Sequence, residues 1–216
     1  MEGRQSGETP PAGRGSAPHA QTQPQIYLQC HDFLSKDQHA KVLAHALVGG
    51  ERFTPSTVDT SDSQHRRSLV DYDVAFVAAI LLPRIEAVLP QIMGALSVRP
   101  QAIGQIECQL TAHNDGHFYK LHNDNGTPGT RARILSYVYY FHQEPKPFVG
   151  GELQIYHSRV ENGFWVAADR SEIVTPHNNS VVFFESHHHH QVLPVTCTSG
   201  AFVDSRFTLN GWVRHA

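Results

Sequence analysis

The stretch VVFFESHHHHQVLPV, from Val181 to Val195, places four consecutive histidines between two apolar segments. Both segments are short and rich in branched or aromatic residues, which predicts one strand on either side of the histidines. Purification tags lie at chain termini, whereas this run is internal. We therefore expect at least one of the four histidines to point toward the core.

A second motif, His122-Asn123-Asp124, follows a segment with strand character. In extended backbone, residues i and i+2 point to the same face, so His122 and Asp124 can converge on one ion. With one later histidine they would supply two imidazoles and a carboxylate, the ligand set that holds non-haem Fe(II) and leaves positions open. An isolated H-x-D motif is also common in surface loops.

The third motif is an arginine on a predicted strand near the C-terminus. Arg206, Thr208 and Asn210 share one face of this strand, opposite Phe207 and Leu209. An arginine flanked by apolar neighbours is costly unless it meets an anion, and its planar guanidinium suits a carboxylate. The alternative is an internal salt bridge to Asp204 or a nearby glutamate.

The composition excludes several classes of protein. The 216 residues carry 17 lysines and arginines against 20 aspartates and glutamates, a net charge of -3, which argues against nucleic-acid binding through bulk positive charge. The longest apolar run, Val74 to Leu82, is too short to span a membrane, and no secretory signal is visible. The three cysteines form no C-x-x-C pair, which disfavours disulfides and thiolate zinc sites and favours a cytoplasmic location.

The chain divides by composition. Residues 1–25 contain no Ile, Leu, Val, Phe, Tyr or Trp, which predicts a disordered tail before a single domain over 26–216. Helical patterns occupy about 33–97: a capping box at Ser35–Gln38 starts one helix, and Gly49-Gly50 ends it. A second helix begins near Asp73, and Pro83 is expected to kink or split it.

Strand patterns occupy about 103–215. Apolar and polar residues alternate over 106–112, and further strands are predicted at Phe118–His122, Ile134–Phe141, Glu152–Tyr156, Ser180–Glu185, Gln191–Val195 and Arg206–Val213. Helices followed by strands predict an α+β fold whose strands form a sandwich or barrel, with the helices packed on a sheet.

The order and spacing of these blocks resemble the Fe(II)/2-oxoglutarate-dependent dioxygenases, specifically the prolyl 4-hydroxylase-like branch. The resemblance covers roughly residues 103–215. Besides the H-x-D motif, the matching blocks are Arg133–Ser136 with Tyr139–Phe141, Gly150–Leu153, Asn179–Phe184, His190–Val195, and Arg206–Thr208 with Trp212.

The resemblance implies a metal site of three residues. His122 and Asp124 would be the first two iron ligands, and His190 the third, because the family pattern places that ligand directly before x-Val-x-Pro-Val. A slip of one residue to His189 is the alternative. The histidines at 187–189 would otherwise be surface or substrate-facing residues.

The resemblance also implies a site for 2-oxoglutarate. Arg206, assisted by Thr208, would bind the distal carboxylate. Tyr140 would add a hydroxyl donor or serve as a core aromatic residue. The family often has a tyrosine before the H-x-D motif; here His113 would take that place, donating a hydrogen bond or shaping the substrate pocket.

The implied fold is a double-stranded β-helix, a jelly-roll or cupin-like core with supporting N-terminal helices. The implied activity is hydroxylation of an unactivated C–H bond with release of succinate and CO₂. Fe(II) would be the cofactor, 2-oxoglutarate and O₂ the cosubstrates and ascorbate a stimulant. A prolyl residue or free amino acid is the favoured substrate; a peptide, a protein or a natural-product intermediate is also compatible.

Alternatives from other classes are a zinc hydrolase, for which Glu185 is the one candidate base, and a metal-binding barrel without catalysis. Substrate contacts are expected in the segments 53–67, 113–120 and 125–133, which are otherwise ordinary surface loops. Arg131 and Arg133 would meet an acidic substrate group or face solvent.

Overall fold

The computed structural model describes residues 25–56 and 65–216. The predicted tail therefore lies outside the described residues, apart from Gln25, and a single domain over 26–216 stays a prediction. The helices are α1 (Lys36–Val48) and α2 (Ala75–Ala95). The strands are β1 (Tyr27–Cys30), β2 (Thr54–Pro55), β3 (Arg66–Arg67), β4 (Leu69–Asp71), β5 (Ile103–Ile106), β6 (Gln109–His113), β7 (Phe118–His122), β8 (Arg133–Phe141), β9 (Val149–Gly150), β10 (Leu153–Glu161), β11 (Phe164–Val174), β12 (Ser180–Glu185), β13 (His190–Val192), β14 (Val195–Thr196) and β15 (Arg206–His215).

The strands form two main antiparallel sheets. The larger sheet has the order β1-β12-β8-β15-β6-β4-β2, with β5 also paired to β15; the smaller has the order β11-β10-β13-β7-β3. Strands β9 and β14 form a separate pair. The two sheets contact each other through an apolar cluster in which Leu153 and Ile155 of the smaller sheet meet Tyr140, Val182 and Phe184 of the larger. The α+β prediction is confirmed.

The first helix starts as its sequence predicts. Ser35 Oγ accepts a hydrogen bond from the Gln38 backbone N–H at 3.3 Å, and Gln38 Oε1 accepts one from the Ser35 N–H at 3.2 Å. This reciprocal pair satisfies two backbone donors at the helix N-terminus and confirms the capping box.

The second helix is not split. It runs unbroken from Ala75 to Ala95 through both Pro83 and Pro90, so a split at Pro83 is wrong. Each proline costs about 3 kcal/mol inside a helix, whereas each large apolar side chain that becomes buried contributes about 1.5–3 kcal/mol. The side chains that offset this cost are Val77, Leu81, Ile85, Leu89, Ile92 and Met93.

The helices cover one face of the larger sheet, as predicted. Val42 of α1 and Leu81 of α2 belong to the same core cluster as Leu110, Tyr139 and Phe207 of the sheet. By length and apolar composition alone α2 could cross a membrane. Its contacts with this cluster are those of a core helix.

Three strand predictions need correction. The strand predicted over 106–112 is interrupted, because β5 ends at Ile106 and β6 begins at Gln109. The segment predicted as one strand, Gln191–Val195, is divided between β13 and β14, because Pro194 has no N–H to donate and its carbonyl oxygen instead accepts from the Gly151 N–H at 3.2 Å. Strand β11 was not predicted. It forms a hairpin with β10 around Asn162-Gly163, both at positive φ, and this Asn-Gly pair is a signal that could have revealed it.

Candidate metal and anion site

Three side chains from the two sequence motifs converge beside the smaller sheet. His122 at the end of β7 is paired directly with His190 at the start of β13, so their imidazoles lie side by side with ring centroids 4.2 Å apart. Asp124 lies two residues after His122; its oxygens are 3.7 Å from His122 Nε2 and 3.5 Å from His190 Nε2. This set offers one ligand atom from each residue to a single metal ion.

Backbone hydrogen bonds orient both imidazoles toward the centre of this set. His122 Nδ1 lies 2.8 Å from the Lys120 carbonyl oxygen, and His190 Nδ1 lies 2.9 Å from the His188 carbonyl oxygen. A carbonyl can only accept, so each Nδ1 carries the proton and each Nε2 presents a lone pair. This is the arrangement that fixes the tautomer of metal-binding histidines.

The carboxylate is held in its ionised form. Asp124 Oδ2 accepts a hydrogen bond of 2.6 Å from Ser136 Oγ, which is itself 3.0 Å from Ser186 Oγ. Burial by itself would raise the pKa of Asp124, but the two neighbouring histidines and the hydrogen bonds from Ser136 and Trp212 outweigh it, so the pKa is lowered. Burial, followed by the proximity of His190, lowers the pKa of His122 to about 3. A neutral imidazole beside a carboxylate is the protonation state that metal binding requires.

The anion-binding prediction concerns Arg206, a residue of β15 that is only 2% exposed. In the part of the chain that the structure describes, Arg206 forms no ion pair, and its Nε has no hydrogen-bond partner. The alternative of a salt bridge to Asp204 is wrong, because that carboxylate accepts hydrogen bonds from Ser199 and Gln143 instead. A buried cation without an anionic partner indicates that a ligand supplies the anion.

A glycine makes room for this arginine. Gly151 has φ +71°, and a Cβ there would lie 2.6 Å from Arg206 Cδ. Both the backbone conformation and the close approach therefore require glycine. This explains why Gly150-Gly151, far from Arg206 in sequence, belongs to the same site.

The other predicted 2-oxoglutarate residues surround Arg206. His113 is directly opposite Arg206 on β6, and its Nδ1 lies 3.5 Å from Arg206 NH1. Since the guanidinium can only donate, Nδ1 accepts and the proton is on Nε2, which is buried without a partner among the described residues. Burial, with Arg206 nearby, also lowers the pKa of His113 well below its usual value, so the ring is neutral.

Thr208 and Tyr140 lie next to this pair. Thr208 is opposite Tyr140 of β8, and the Arg206 guanidinium carbon lies 5.0 Å from the centre of the Tyr140 ring. Burial raises the pKa of Tyr140 to about 12, and its hydroxyl has no hydrogen-bond partner among the described residues. Thr208 and His113 line the cavity, whereas Tyr140 does not and contacts Arg206 through its ring.

One cavity of about 510 Å³ contains both groups of residues. Its lining includes the three candidate metal ligands together with Arg206, Thr208 and His113. Each segment predicted to contact substrate also contributes: His65 and Arg66 from 53–67, Tyr119 from 113–120, and Thr127 and Thr130 from 125–133. Of the first segment, residues 57–64 lie outside the described residues.

Two arginines in the predicted substrate segments line the cavity through contacts that the sequence does not predict. Arg66 lies over the Tyr119 ring, with its guanidinium carbon 4.8 Å from the ring centre. Arg133 pairs with Glu107, stacks on Trp212 at 3.7 Å and lines the cavity, so a contact with an acidic substrate group stays a prediction. No motif marks Arg66; its position follows from the pairing of two distant segments, in which Arg66 lies opposite Tyr119.

Comparisons with known proteins agree with this geometry. The family model of the 2OG-Fe(II) oxygenase superfamily matches residues 108–214. A PKHD-type hydroxylase from Synechocystis sp. is 40% identical over 193 residues, which are 88% of this chain and 64% of the relative. The chain belongs to the 2OG-Fe(II) oxygenase superfamily. It spans less than two thirds of the length of that relative.

Similarity to solved structures confirms that this chain has the double-stranded β-helix fold of the oxygenase family. A prolyl-4-hydroxylase from Pseudomonas putida has a TM-score of 0.63 at 23% identity, covering 88% of this chain and 93% of that one. A prolyl hydroxylase from Trichoplax adhaerens, in complex with a hypoxia inducible factor peptide fragment, has a TM-score of 0.64 at 17% identity, covering 88% and 84%. A non-heme α-ketoglutarate-dependent epimerase of nogalamycin biosynthesis has a TM-score of 0.62 at 14% identity, covering 89% and 80%.

Proposed function

We propose that this oxygenase is an Fe(II)- and 2-oxoglutarate-dependent hydroxylase that acts on a prolyl residue or a free amino acid. One observation carries the proposal: a single cavity holds two imidazoles and a carboxylate with their ligand atoms together, and also a buried arginine that has no anionic partner among the residues the structure describes. The first group fits Fe(II), and the second fits the distal carboxylate of 2-oxoglutarate.

His122, Asp124 and His190 would hold the iron, and Arg206, Thr208 and His113 would hold the cosubstrate carboxylate. Bound iron, 2-oxoglutarate and O₂ would supply the oxidising chemistry, with succinate and CO₂ as products. The donors left without partners in the described residues, Arg206 Nε and His113 Nε2–H, would both be satisfied by a carboxylate.

The protein's own contribution is positioning. Ser136 holds Asp124 in one orientation, and the Lys120 and His188 carbonyls hold the two imidazoles. These interactions fix the ligand atoms in advance, so the three side chains need little reorganisation when the metal binds. The cavity walls then aim one C–H bond at the metal.

The relatives support a prolyl or amino-acid substrate over other chemistries. The 40% identical relative is described as a PKHD-type hydroxylase, and two proteins with the same fold are prolyl hydroxylases. The cavity, about 510 Å³, has a size typical of small-ligand sites. Both a single residue of a peptide and a free amino acid would fit in it.

The zinc hydrolase alternative loses its one candidate base. Glu185 does not line the cavity; its carboxylate lies 3.6 Å from His187 Nδ1, outside the His122–Asp124–His190 set. A general base must reach the water or proton it acts on, so Glu185 in this position cannot serve the metal in the cavity.

The deciding experiment is anaerobic. Fe(II) and 2-oxoglutarate are added to metal-free protein, and the weak visible charge-transfer band of the iron chelate is recorded. We expect the band in the wild type and its loss in Asp124→Ala, with a Ser180→Ala variant as the folded control. If the wild type gives no band and retains zinc instead, the proposal is wrong.

Substrate class is then tested in air by succinate release. Proline-containing peptides, free proline and other free amino acids are compared at equal concentration. Release above the uncoupled rate with a prolyl substrate or an amino acid supports the proposal. A band without coupled turnover on any of them, but with turnover on a natural-product scaffold, would leave the oxygenase assignment standing and overturn the substrate class.

A further inference from the structure

We propose that Glu185, His187 and His188 form a second metal site, distinct from the cavity, for a divalent transition metal of the Zn²⁺ or Cu²⁺ kind. All three residues lie in the 185–188 turn, and none of them belongs to the His122–Asp124–His190 set. Each of the three offers a ligand atom, and these atoms all lie within 4.8 Å of one another.

The geometry is close to that of a bound ion. His187 Nδ1 lies 3.6 Å from Glu185 Oε2, and the ring centroids of His187 and His188 are 4.4 Å apart. Zinc bonds of about 2.0–2.2 Å place neighbouring ligand atoms roughly 3.3–3.6 Å apart in a tetrahedron. Ligand atoms as far apart as 4.8 Å would have to approach each other by roughly 1.2–1.5 Å to hold the ion, whereas Glu185 Oε2 and His187 Nδ1 are already at that spacing.

The donor set selects the kind of metal. Two imidazoles and one carboxylate suit zinc and copper, whereas Mg²⁺ and Ca²⁺ take mainly oxygen ligands. Three protein ligands would leave a fourth position for water. The side chains of Glu185 and His187 are 33% and 15% exposed, so an ion can enter from solvent.

Neighbouring residues already hold the histidines in place. The His187 ring stacks on Trp165 with centroids 3.8 Å apart and an interplanar angle of 21°. The imidazole Nδ1 of His188 is 3.1 Å from Ser158 Oγ, and the backbone N–H of His188 donates to the Glu185 carbonyl oxygen at 3.0 Å. Imidazoles fixed by stacking and hydrogen bonding lose less entropy when a metal binds.

The second site is joined to the first through the backbone. The His188 carbonyl oxygen accepts the hydrogen bond from His190 Nδ1. An ion bound to Glu185, His187 and His188 would hold the turn that carries this carbonyl, and so stabilise the orientation of His190. The folded protein would bind the ion more tightly than the unfolded chain, which raises the melting temperature.

Zinc counting tests the proposal. Metal-free protein is dialysed against Zn²⁺ buffered low enough to leave isolated surface histidines empty, and bound zinc is measured per chain. We expect two ions in the wild type, one at each site, because the His122–Asp124–His190 set also suits zinc. Asp124→Ala should retain one ion, and this ion should disappear when Glu185→Gln or His187→Asn is added.

Two matched variants serve as controls. His189→Ala removes a histidine from the same run, and Glu144→Gln removes a carboxylate from another histidine–glutamate pair, 3.8 Å apart. Both should keep two ions and the zinc-dependent rise in melting temperature, whereas Glu185→Gln and His187→Asn should lose one ion and that rise. Circular dichroism without metal establishes that each variant is folded.

One bound ion in the wild type that Asp124→Ala abolishes would overturn the proposal, leaving the cavity site alone. Two ions that persist in both Glu185→Gln and His187→Asn would also overturn it, because the second ion would then lie elsewhere. Neither result depends on hydroxylase activity, so the outcome is independent of the function proposed above.

Discussion

The two faces of strand β15 carry different kinds of side chain on one backbone. Arg206, Thr208 and Asn210 line the cavity, whereas Phe207, Leu209 and Val213 belong to the apolar core beneath the helices. The neighbouring strand β6 divides in the same way. On β6, Thr111 and His113 line the cavity, while Leu110 and Ala112 pack in that core.

One face of this sheet therefore stabilises the fold, and the opposite face carries the candidate functional groups. The apolar face removes hydrocarbon from water, which stabilises the fold. The cavity face buries a guanidinium and other donors that find no partner within residues 25–56 and 65–216, which opposes folding and is compensated when a ligand binds. Substitutions on the apolar face should therefore lower the free energy of unfolding and leave ligand affinity unchanged. Substitutions on the cavity face should lower ligand affinity and leave the free energy of unfolding nearly unchanged.

The largest effect is expected from His122→Ala in the cavity. Removing one of three proposed ligands should abolish iron binding and turnover, measured by metal content and by succinate release. Unfolding should be nearly unchanged, because the lost imidazole belongs to neither apolar core cluster. Activity retained in this variant would show that the metal is held elsewhere. Replacing all of 187–189 should spare iron binding if His190 is the third ligand.

The second largest effect is expected from Leu209→Ala on the core face. Leu209 is fully buried, and truncation of such a side chain costs about 2–5 kcal/mol of unfolding free energy. Denaturant unfolding measures this cost. The affinity of the folded protein for 2-oxoglutarate should not change, since Leu209 points away from the cavity. A large loss of affinity in the folded variant would contradict the separation of the two faces.

Much of the cavity face could be predicted from sequence because period two alternation is a local property. Arg206 and Thr208 were assigned to the polar face of one strand, and His122 with Asp124 to one ion, from spacing alone. The structure brings these residues to one cavity. Their roles as ligands remain predictions, but their convergence needed only the strand geometry and the family resemblance.

What could not be predicted depends on contacts between distant segments. Arg66 enters the cavity because β3 pairs with β7, a pairing that no local pattern encodes. The unbroken α2 likewise depends on packing against the sheet, which overrides the local effect of Pro83. Glu185 looked like a base for the cavity metal because it is close in sequence to His190, yet its carboxylate lies beside His187 instead.

The next effect in size is expected from Arg206→Ala. A hydrogen bond to a charged group contributes about 1.5–3 kcal/mol, so the affinity for 2-oxoglutarate should fall on the order of 10-fold to 100-fold. Arg206→Lys should recover only part of it, because an ammonium group lacks the planar fork. Titration of the anaerobic iron band measures both variants. An unchanged affinity in Arg206→Ala would place the anion site elsewhere.

The smallest effect is expected from Ser136→Ala, which tests whether the cavity face is organised beyond its ligands. Ser136 Oγ donates to Asp124 Oδ2 at 2.6 Å and lies on β8 beside Tyr137. Loss of such a supporting hydrogen bond should lower metal affinity by about 10-fold, the lower end of the usual range, because no ligand is removed. Competition with a chelator measures iron affinity, and we expect saturating iron to restore turnover.

The control for Ser136→Ala is Ser180→Ala. Ser180 is also fully buried, and its hydroxyl donates to the His177 carbonyl oxygen at 2.8 Å, away from Asp124. Each variant loses two hydrogen bonds, those of Ser136 with Asp124 and Ser186 or those of Ser180 with His177 and Gln29. Each bond is worth about 1 kcal/mol of stability, so the two variants are matched. Equal destabilisation with a loss of iron affinity in Ser136→Ala alone would assign the effect to the orientation of Asp124. Equal iron affinity in the two variants would mean that the carboxylate is positioned without Ser136, by the backbone and Trp212.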